Sequence, residues 1–233
     1  MPKTNNGCGK ATSDNLHTIK PKTNNQQKAF DAWNKKHNIM LNGSAGSGKT
    51  FMGMYLGLKE VLNPDAYQRK LIICRSTVAT RDMGFLPGTQ KEKEDAFTMP
   101  YKSLVEDLFG DKSFWGILQT NKQLEFISTS YIRGVTLDNC VILVDEMQNM
   151  NFHELCSVAT RVGKDSRIIF AGDFAQSDFT NKYEQQGLGK FTRIVEAMTK
   201  FSIVTFTPAD ILRSGWVRDF LITKELLEKE GKI

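Results

Sequence analysis

The sequence predicts an α/β domain built on a mostly parallel sheet with helices on both faces. Short apolar runs alternate along the chain with stretches of helical periodicity, which is the order of elements in repeated strand–helix units. The apolar runs are almost uninterrupted, as is typical of strands that are buried on both faces of a sheet. A length of 233 residues suits one domain of this kind.

The predicted elements follow one another from residue 23 onwards. Strands are expected at the apolar runs 39–41, 71–74, 124–127, 140–144, 167–171 and 201–206. Helices are expected at the periodic stretches 23–33, 51–61, 101–109, 152–159, 191–199 and 217–230. Residues 1–22 are polar and contain two glycines and two prolines. We therefore expect a mobile basic N-terminal arm over residues 1–22 and a single domain over residues 23–233.

The positive charge of the chain is concentrated near its N-terminus. The formal net charge is +5, from 31 Lys and Arg against 26 Asp and Glu. Residues 1–37 hold seven lysines and two acids, so this segment carries 7 − 2 = +5 and the remainder is neutral. Such a segment fits either an arm that binds the phosphate backbone of nucleic acid or a solvated tail.

Several classes of protein are excluded by what the sequence lacks. No apolar run approaches the roughly 18–20 residues of a membrane span, and the N-terminus has no apolar stretch of a secretory signal. The four cysteines are far apart and form no metal-binding or disulfide pattern. We therefore expect a cytoplasmic protein with reduced thiols, no zinc site and no membrane partner.

A phosphate-binding loop is the strongest motif in the chain. The sequence GSAGSGKT matches the pattern G-x-x-x-x-G-K-[ST] in full, between a predicted strand and a predicted helix. Glycines let backbone N–H groups turn onto phosphate oxygens, and the start of the helix adds its positive dipole end. We expect Lys49 to reach the β- and γ-phosphates of a nucleotide and Thr50 to bind Mg²⁺. The nucleotide-binding loop then comprises Gly43, Ser44, Ala45, Gly46, Ser47, Gly48, Lys49 and Thr50.

Two acids follow the most apolar predicted strand directly. Asp145 and Glu146 come after residues 140–144, where the carboxyl end of the strand faces the nucleotide crevice. We expect Asp145 to hold Mg²⁺ and Glu146 to orient and deprotonate an attacking water. A second polar segment, GDFAQSD, follows the predicted strand 167–171 and contains Gln176. Taken alone, that segment favours an ordinary polar loop.

Together these segments resemble the PhoH-like ATPases over most of residues 21–220. The resemblance rests on PKTNNQQ, GSAGSGKT, RSTVATRDMGFLPG, YIRGVTLDN, VDEMQN, GDFAQSD and DILRSGWV, in that order. It implies a RecA-like P-loop fold related to superfamily-one helicases. It also implies binding and hydrolysis of ATP with Mg²⁺, coupled to RNA or single-stranded nucleic acid.

The resemblance also assigns roles to single residues. Gln26, or Gln27 in the adjacent register, is similar to the glutamine that reads adenine. Arg75 aligns with a motif-Ia arginine. Gln176 is similar to the family's γ-phosphate sensor, which replaces the interpretation as a plain loop. Arg213 is a candidate arginine finger, with a surface arginine as the alternative.

The last predictions from the sequence concern the oligomeric state of the protein and two alternative functions. A translocating motor needs two RecA-like units and this chain has room for one, so we expect a homo-oligomeric ring, and the family suggests a hexamer. A phosphotransferase of thymidine-kinase type is one alternative, although the cysteine set of that class is missing. A nucleotide-gated nucleic-acid-binding module with little turnover is the other, and Glu146 argues against it.

Overall fold

The computed structural model describes residues 9–76, 90–132, 134–174, 182–213 and 215–232, with only the backbone described at residues 90–95, 182–186 and 229. Six strands form one sheet in the order β3-β2-β4-β5-β1-β6, and every neighbouring pair is parallel. The strands are β1 (Asn38–Gly43), β2 (Lys70–Arg75), β3 (Leu124–Ser128), β4 (Cys140–Val144), β5 (Arg167–Gly172) and β6 (Phe201–Phe206). The six predicted strands and the predicted fold class are confirmed.

Seven α-helices surround the sheet in the described part of the chain. They are α1 (Asn24–Asn34), α2 (Lys49–Val61), α3 (Gln90–Phe109), α4 (Phe114–Thr120), α5 (Phe152–Ala159), α6 (Lys182–Glu196) and α7 (Gly215–Lys229). Four 3-10 turns connect them, at Ser13–Asn15, Thr129–Tyr131, Met147–Asn149 and Pro208–Asp210. Within the ranges given above, no helix is both long and apolar enough to span a membrane.

Three helices differ from the prediction. Helix α3 begins eleven residues before the predicted 101–109. Helix α4 was not expected, because its seven residues include a glycine and bury only Trp115 and Leu118. Helix α6 begins nine residues before the predicted 191–199 and ends three residues earlier. Its first half contains two glycines, which lowers helix propensity. Gly187 nevertheless suits the position, because a Cβ there would lie 3.0 Å from the Cβ of Phe152 on α5.

The apolar core lies in two layers, one on each face of the sheet. The first layer joins β1, β2 and β4 to α1, α2, α3 and α4, with Leu56 and Leu108 among its buried side chains. The second layer joins the other face to α5 and α6 through Leu155 and Phe191. Both faces of the sheet are therefore covered, which explains the almost continuous apolar strands.

The N-terminal segment packs against the domain over residues 9–22, which differs from the expected mobile arm. Ala11 is buried, and its carbonyl accepts a hydrogen bond of 3.0 Å from the side chain of Gln123. The N–H of His17 donates to the carbonyl of Leu108 at 2.8 Å. The apolar residues Ala11, Leu16 and Ile19 also pack against the core, but they are scattered and form no periodic pattern in the sequence. The boundary of the segment with the domain stays a prediction.

Candidate nucleotide-binding site

A cavity of about 660 Å³ opens at the carboxyl end of the parallel strands. Strand β5 lies between β1, which leads into the glycine-rich loop, and β4, which ends in the acidic pair. The cavity brings together most of the predicted site residues: Gln26, Ala45, Gly46, Gly48, Lys49, Thr50, Asp145, Glu146 and Arg213. Gly43 and Ser44 line a smaller neighbouring cavity of about 240 Å³, and Ser47 is buried within the loop.

Backbone conformation explains the glycines of the loop. Gly46 and Gly48 both have a φ of +81°, in the left-handed region that glycine adopts most easily. At Gly43 a Cβ would lie 2.1 Å from the carbonyl oxygen of Phe206 on the neighbouring strand β6. The loop therefore needs glycine both for its turns and for its close approach to β6.

The Lys49 ammonium lies inside the loop at the start of α2. It donates to the carbonyl oxygens of Gly43 at 2.6 Å and Ser44 at 2.8 Å. Burial lowers the pKa of Lys49, and the nearby carboxylates of Asp173, Glu146 and Asp145 partly oppose this. The ammonium therefore lies beside a cavity whose lining includes these three acids, where an anionic ligand and a cation can both be bound.

Asp145 and Thr50 form the contact between the acidic pair and the loop. The Thr50 hydroxyl donates to Oδ1 of Asp145 at 2.9 Å, and the Tyr101 hydroxyl donates to Oδ2 at 2.8 Å. Burial is the main cause that raises the pKa of Asp145, and the charge of Glu146 adds to it. Hydroxyl and carboxylate oxygens are ligands that Mg²⁺ prefers, so this donor set fits the predicted ion.

Glu146 lies beside Asp145 in a left-handed conformation, with a φ of 50°. The side-chain amide of Gln148 donates to Oε2 of Glu146, and its oxygen accepts from the N–H of Asp173 at 3.0 Å. Gln148 thus connects the end of β4 to the end of β5. This connection holds the Glu146 carboxylate at the wall of the cavity.

The structure distinguishes between the two glutamines of α1. Gln26 is buried and lines the cavity, and its amide donates to the Ser47 carbonyl at 3.4 Å. Its oxygen accepts from the N–H of Lys22 at 2.8 Å. Gln27 is exposed and donates to Asp31 on the same helix at 2.8 Å. Gln26 is therefore the glutamine beside the loop.

Arg213 lies near the loop of its own chain. The N–H of Leu212 donates to the Gly46 carbonyl at 3.4 Å, and a Cβ at Gly46 would lie 3.4 Å from Cγ of Arg213. Arg213 itself is exposed and lines the cavity. Gln176 lies outside the described residues.

Sequence reasoning missed several residues of the site. Asp173 follows β5 directly, as Asp145 follows β4, and this equivalence could have predicted it. Ile19 and Lys20 line the cavity but belong to the segment expected to be an arm. Tyr101 has no local pattern that points to Asp145, because the two residues are 44 positions apart.

A glycine-rich loop between β1 and α2, facing carboxylates at the end of β4, defines a P-loop NTPase with a RecA-like fold. The sequence model of the PhoH-like protein family matches residues 18–224. The chain therefore belongs to the PhoH-like family.

Curated relatives carry the same family name. The chain is 31% identical over 201 residues to a PhoH-like protein of Synechocystis, covering 86% of this chain and 60% of the relative. It is 29% identical over 215 residues to a PhoH-like protein of Mycobacterium tuberculosis, covering 92% and 60% respectively. The chain thus spans about three fifths of the length of these relatives.

Solved structures resemble the chain more distantly. The large terminase of a thermophilic bacteriophage matches with a TM-score of 0.49 and 12% identity, over 86% of this chain and 49% of the terminase. A Pif1 helicase from Bacteroides matches with a TM-score of 0.45 and 16% identity, over 85% and 43%. At these values the resemblances say nothing about substrate or partner.

Proposed function

We propose that the chain binds ATP with Mg²⁺ and hydrolyses it, and that hydrolysis is coupled to RNA or single-stranded DNA. The observation that carries this proposal is the 2.9 Å hydrogen bond between Thr50 and Asp145. It joins the glycine-rich loop to the acidic pair, with Glu146 beside it in the same cavity. Binding and hydrolytic groups therefore meet at one point.

Each residue of the site has its own role in the proposed hydrolysis. Lys49 exchanges its two carbonyl partners for the β- and γ-phosphates, while backbone N–H groups of the loop bind the remaining oxygens. Thr50 and Asp145 hold the metal ion, which neutralises charge on the phosphates when it is bound. Glu146 accepts a proton from the attacking water, and Gln148 keeps that carboxylate in place.

Three further residues complete the proposed reaction. Arg213 stabilises charge on the transferred phosphoryl group, and its place on the cavity of its own chain supports action within one subunit. Gln176 senses the γ-phosphate, and Gln26 reads the adenine. These three roles rest on the resemblance of the sequence motifs.

Partner and assembly are proposed from the family and the charge distribution. The basic segment 1–37 supports binding of a phosphate backbone. Assembly into a homo-oligomeric ring, with a hexamer as the expected size, is proposed from the resemblance to the family. A cytoplasmic location stays a prediction from the sequence.

The experiment measures phosphate release from ATP by the purified chain, alone and with single-stranded RNA or DNA. We expect turnover that rises when nucleic acid is added. Lys49→Ala removes a phosphate ligand and Glu146→Gln removes the base, so both variants should lose turnover. Wild-type protein without turnover under all conditions contradicts the proposal. In that case, phosphate transfer to thymidine identifies a kinase, whereas ATP-dependent binding of nucleic acid identifies a gated binding module.

A further inference from the structure

Tyr101 is a buried residue that the predicted mechanism does not use. It belongs to α3, and its side chain has no exposed surface. The ring packs near Phe126 on β3, with 6.0 Å between the ring centroids. Because packing fixes the ring, the position of its hydroxyl at the end of β4 is fixed as well.

The hydroxyl of Tyr101 contributes one of two donors to the carboxylate of Asp145. It donates to Oδ2 at 2.8 Å, while Thr50 donates to Oδ1 at 2.9 Å. The two donors come from different helices, α3 and α2, so together they define the plane of the carboxylate. Tyr101 therefore holds the oxygen of Asp145 that Thr50 does not contact.

Arg75 lies near Tyr101 on the neighbouring strand. It ends β2, whose Cys74 is paired with Val144 of β4, immediately before Asp145. The positive charge of its guanidinium acts on both the Tyr101 hydroxyl and the Asp145 carboxylate.

Tyr101 acts on Asp145 through this hydrogen bond of 2.8 Å. Burial raises the pKa of Tyr101 well above its usual value, and the charge of Asp145 raises it further.

We propose that Tyr101 is a positioning residue for the magnesium site, holding Asp145 in the orientation in which that carboxylate binds the metal. The inference rests on the proposed role of Thr50 and Asp145 as metal-binding residues. A partner of this kind that orients a ligand commonly contributes about 10–100-fold to metal affinity.

The test is the variant Tyr101→Phe, which keeps the ring and removes only the hydroxyl. Binding of a fluorescent ATP analogue is followed by anisotropy, first in EDTA and then during titration with Mg²⁺. We expect affinity in EDTA within about twofold of the wild type, since the phosphate-binding loop is untouched. The Mg²⁺ concentration that gives half of the increase in affinity should rise about tenfold.

Two matched variants accompany the test. Tyr67→Phe removes a hydroxyl from a side chain that is 71% exposed, in the loop before β2 at the opposite end of the sheet. Its Mg²⁺ dependence should equal that of the wild type. Arg75→Gln, at a half-buried position, removes a nearby positive charge but keeps the Tyr101 hydroxyl, so the Mg²⁺ midpoint should change by a smaller factor than in Tyr101→Phe.

The possible results distinguish a positioning role of Tyr101 from a purely structural role. They also test this inference separately from the proposed hydrolysis of ATP. A purely structural role lowers the melting temperature in EDTA but leaves the Mg²⁺ midpoint of Tyr101→Phe at the wild-type value, and this result overturns the inference. Wild-type binding that is indifferent to Mg²⁺ overturns it as well. A tenfold shift in a protein that shows no ATP turnover supports the inference and contradicts only the proposed hydrolysis.

Discussion

Removing one partner of the buried ion pair at the amino ends of the strands should destabilise the domain. Arg167 lies at the start of β5, with its guanidinium carbon 3.3 Å from the ring centroid of Trp33. It forms an ion pair of 3.0 Å with Glu60 on α2 and donates to the carbonyl of His37 at 2.9 Å. One side chain thus joins α1, α2 and the sheet.

These contacts allow an estimate of how much Arg167→Met lowers the free energy of unfolding. Breaking a buried ion pair costs about 3–5 kcal/mol, because the remaining charge is left without its partner. Glu60 keeps a second ion pair of 2.7 Å with Lys36, which is 67% exposed. We therefore expect the lower end of the range, about 3 kcal/mol.

Urea denaturation followed by circular dichroism measures this loss. With a slope of about 3 kcal/mol per molar urea, the midpoint should fall by about 1 M at an unchanged slope. The control Lys36→Gln removes only the exposed pair and should cost less than about 1 kcal/mol. Equal midpoints for Arg167→Met and Lys36→Gln would refute the reasoning, since burial would then make no difference.

Three other predictions concern the site and its surroundings. Arg213→Ala should lower the rate of hydrolysis about 10³-fold or more while ATP still binds. If the arginine acts within its own chain, mixing this variant with Lys49→Ala should restore no ATP turnover, and restored turnover would contradict that arrangement. Gly43→Ala should cost about 3 kcal/mol or more in urea unfolding, because its Cβ would collide with the carbonyl of Phe206; a wild-type midpoint disproves the clash. Burial raises the pKa of the Cys74 thiol to about 12, so iodoacetamide at pH 8 should modify Cys74 only after the chain unfolds. Mass spectrometry measures the modification, and a modified Cys74 in the folded chain would contradict its burial.

Elements whose patterns are local could be predicted from the sequence. The bounds of β4 and α5 agree with the prediction to the residue, because an unbroken apolar run and a helix capped by Asn151 are both local features. The loop and the acidic pair were also predictable, since each is a contiguous motif. The carboxyl ends of parallel strands lie at the same edge of a sheet, so the contact between the loop and the acidic pair was predictable as well.

Features that depend on distant contacts could not be predicted. The contact of Tyr101 with Asp145 joins residues that are far apart in the chain. The choice between Gln26 and Gln27 depends on which face of α1 is buried, and the packing of residues 9–22 depends on surfaces that other elements create. In each case the determining interaction is tertiary.

A single-turnover measurement with enzyme in excess over radiolabelled ATP tests the central claim most directly. Glu146→Gln keeps the shape of the side chain but cannot accept the proton of the attacking water. The account predicts that wild-type protein converts bound ATP to ADP and phosphate, and that Glu146→Gln binds ATP equally well but converts it at least about 100-fold more slowly. Equal rates for the two proteins, or no conversion by the wild type, would contradict it.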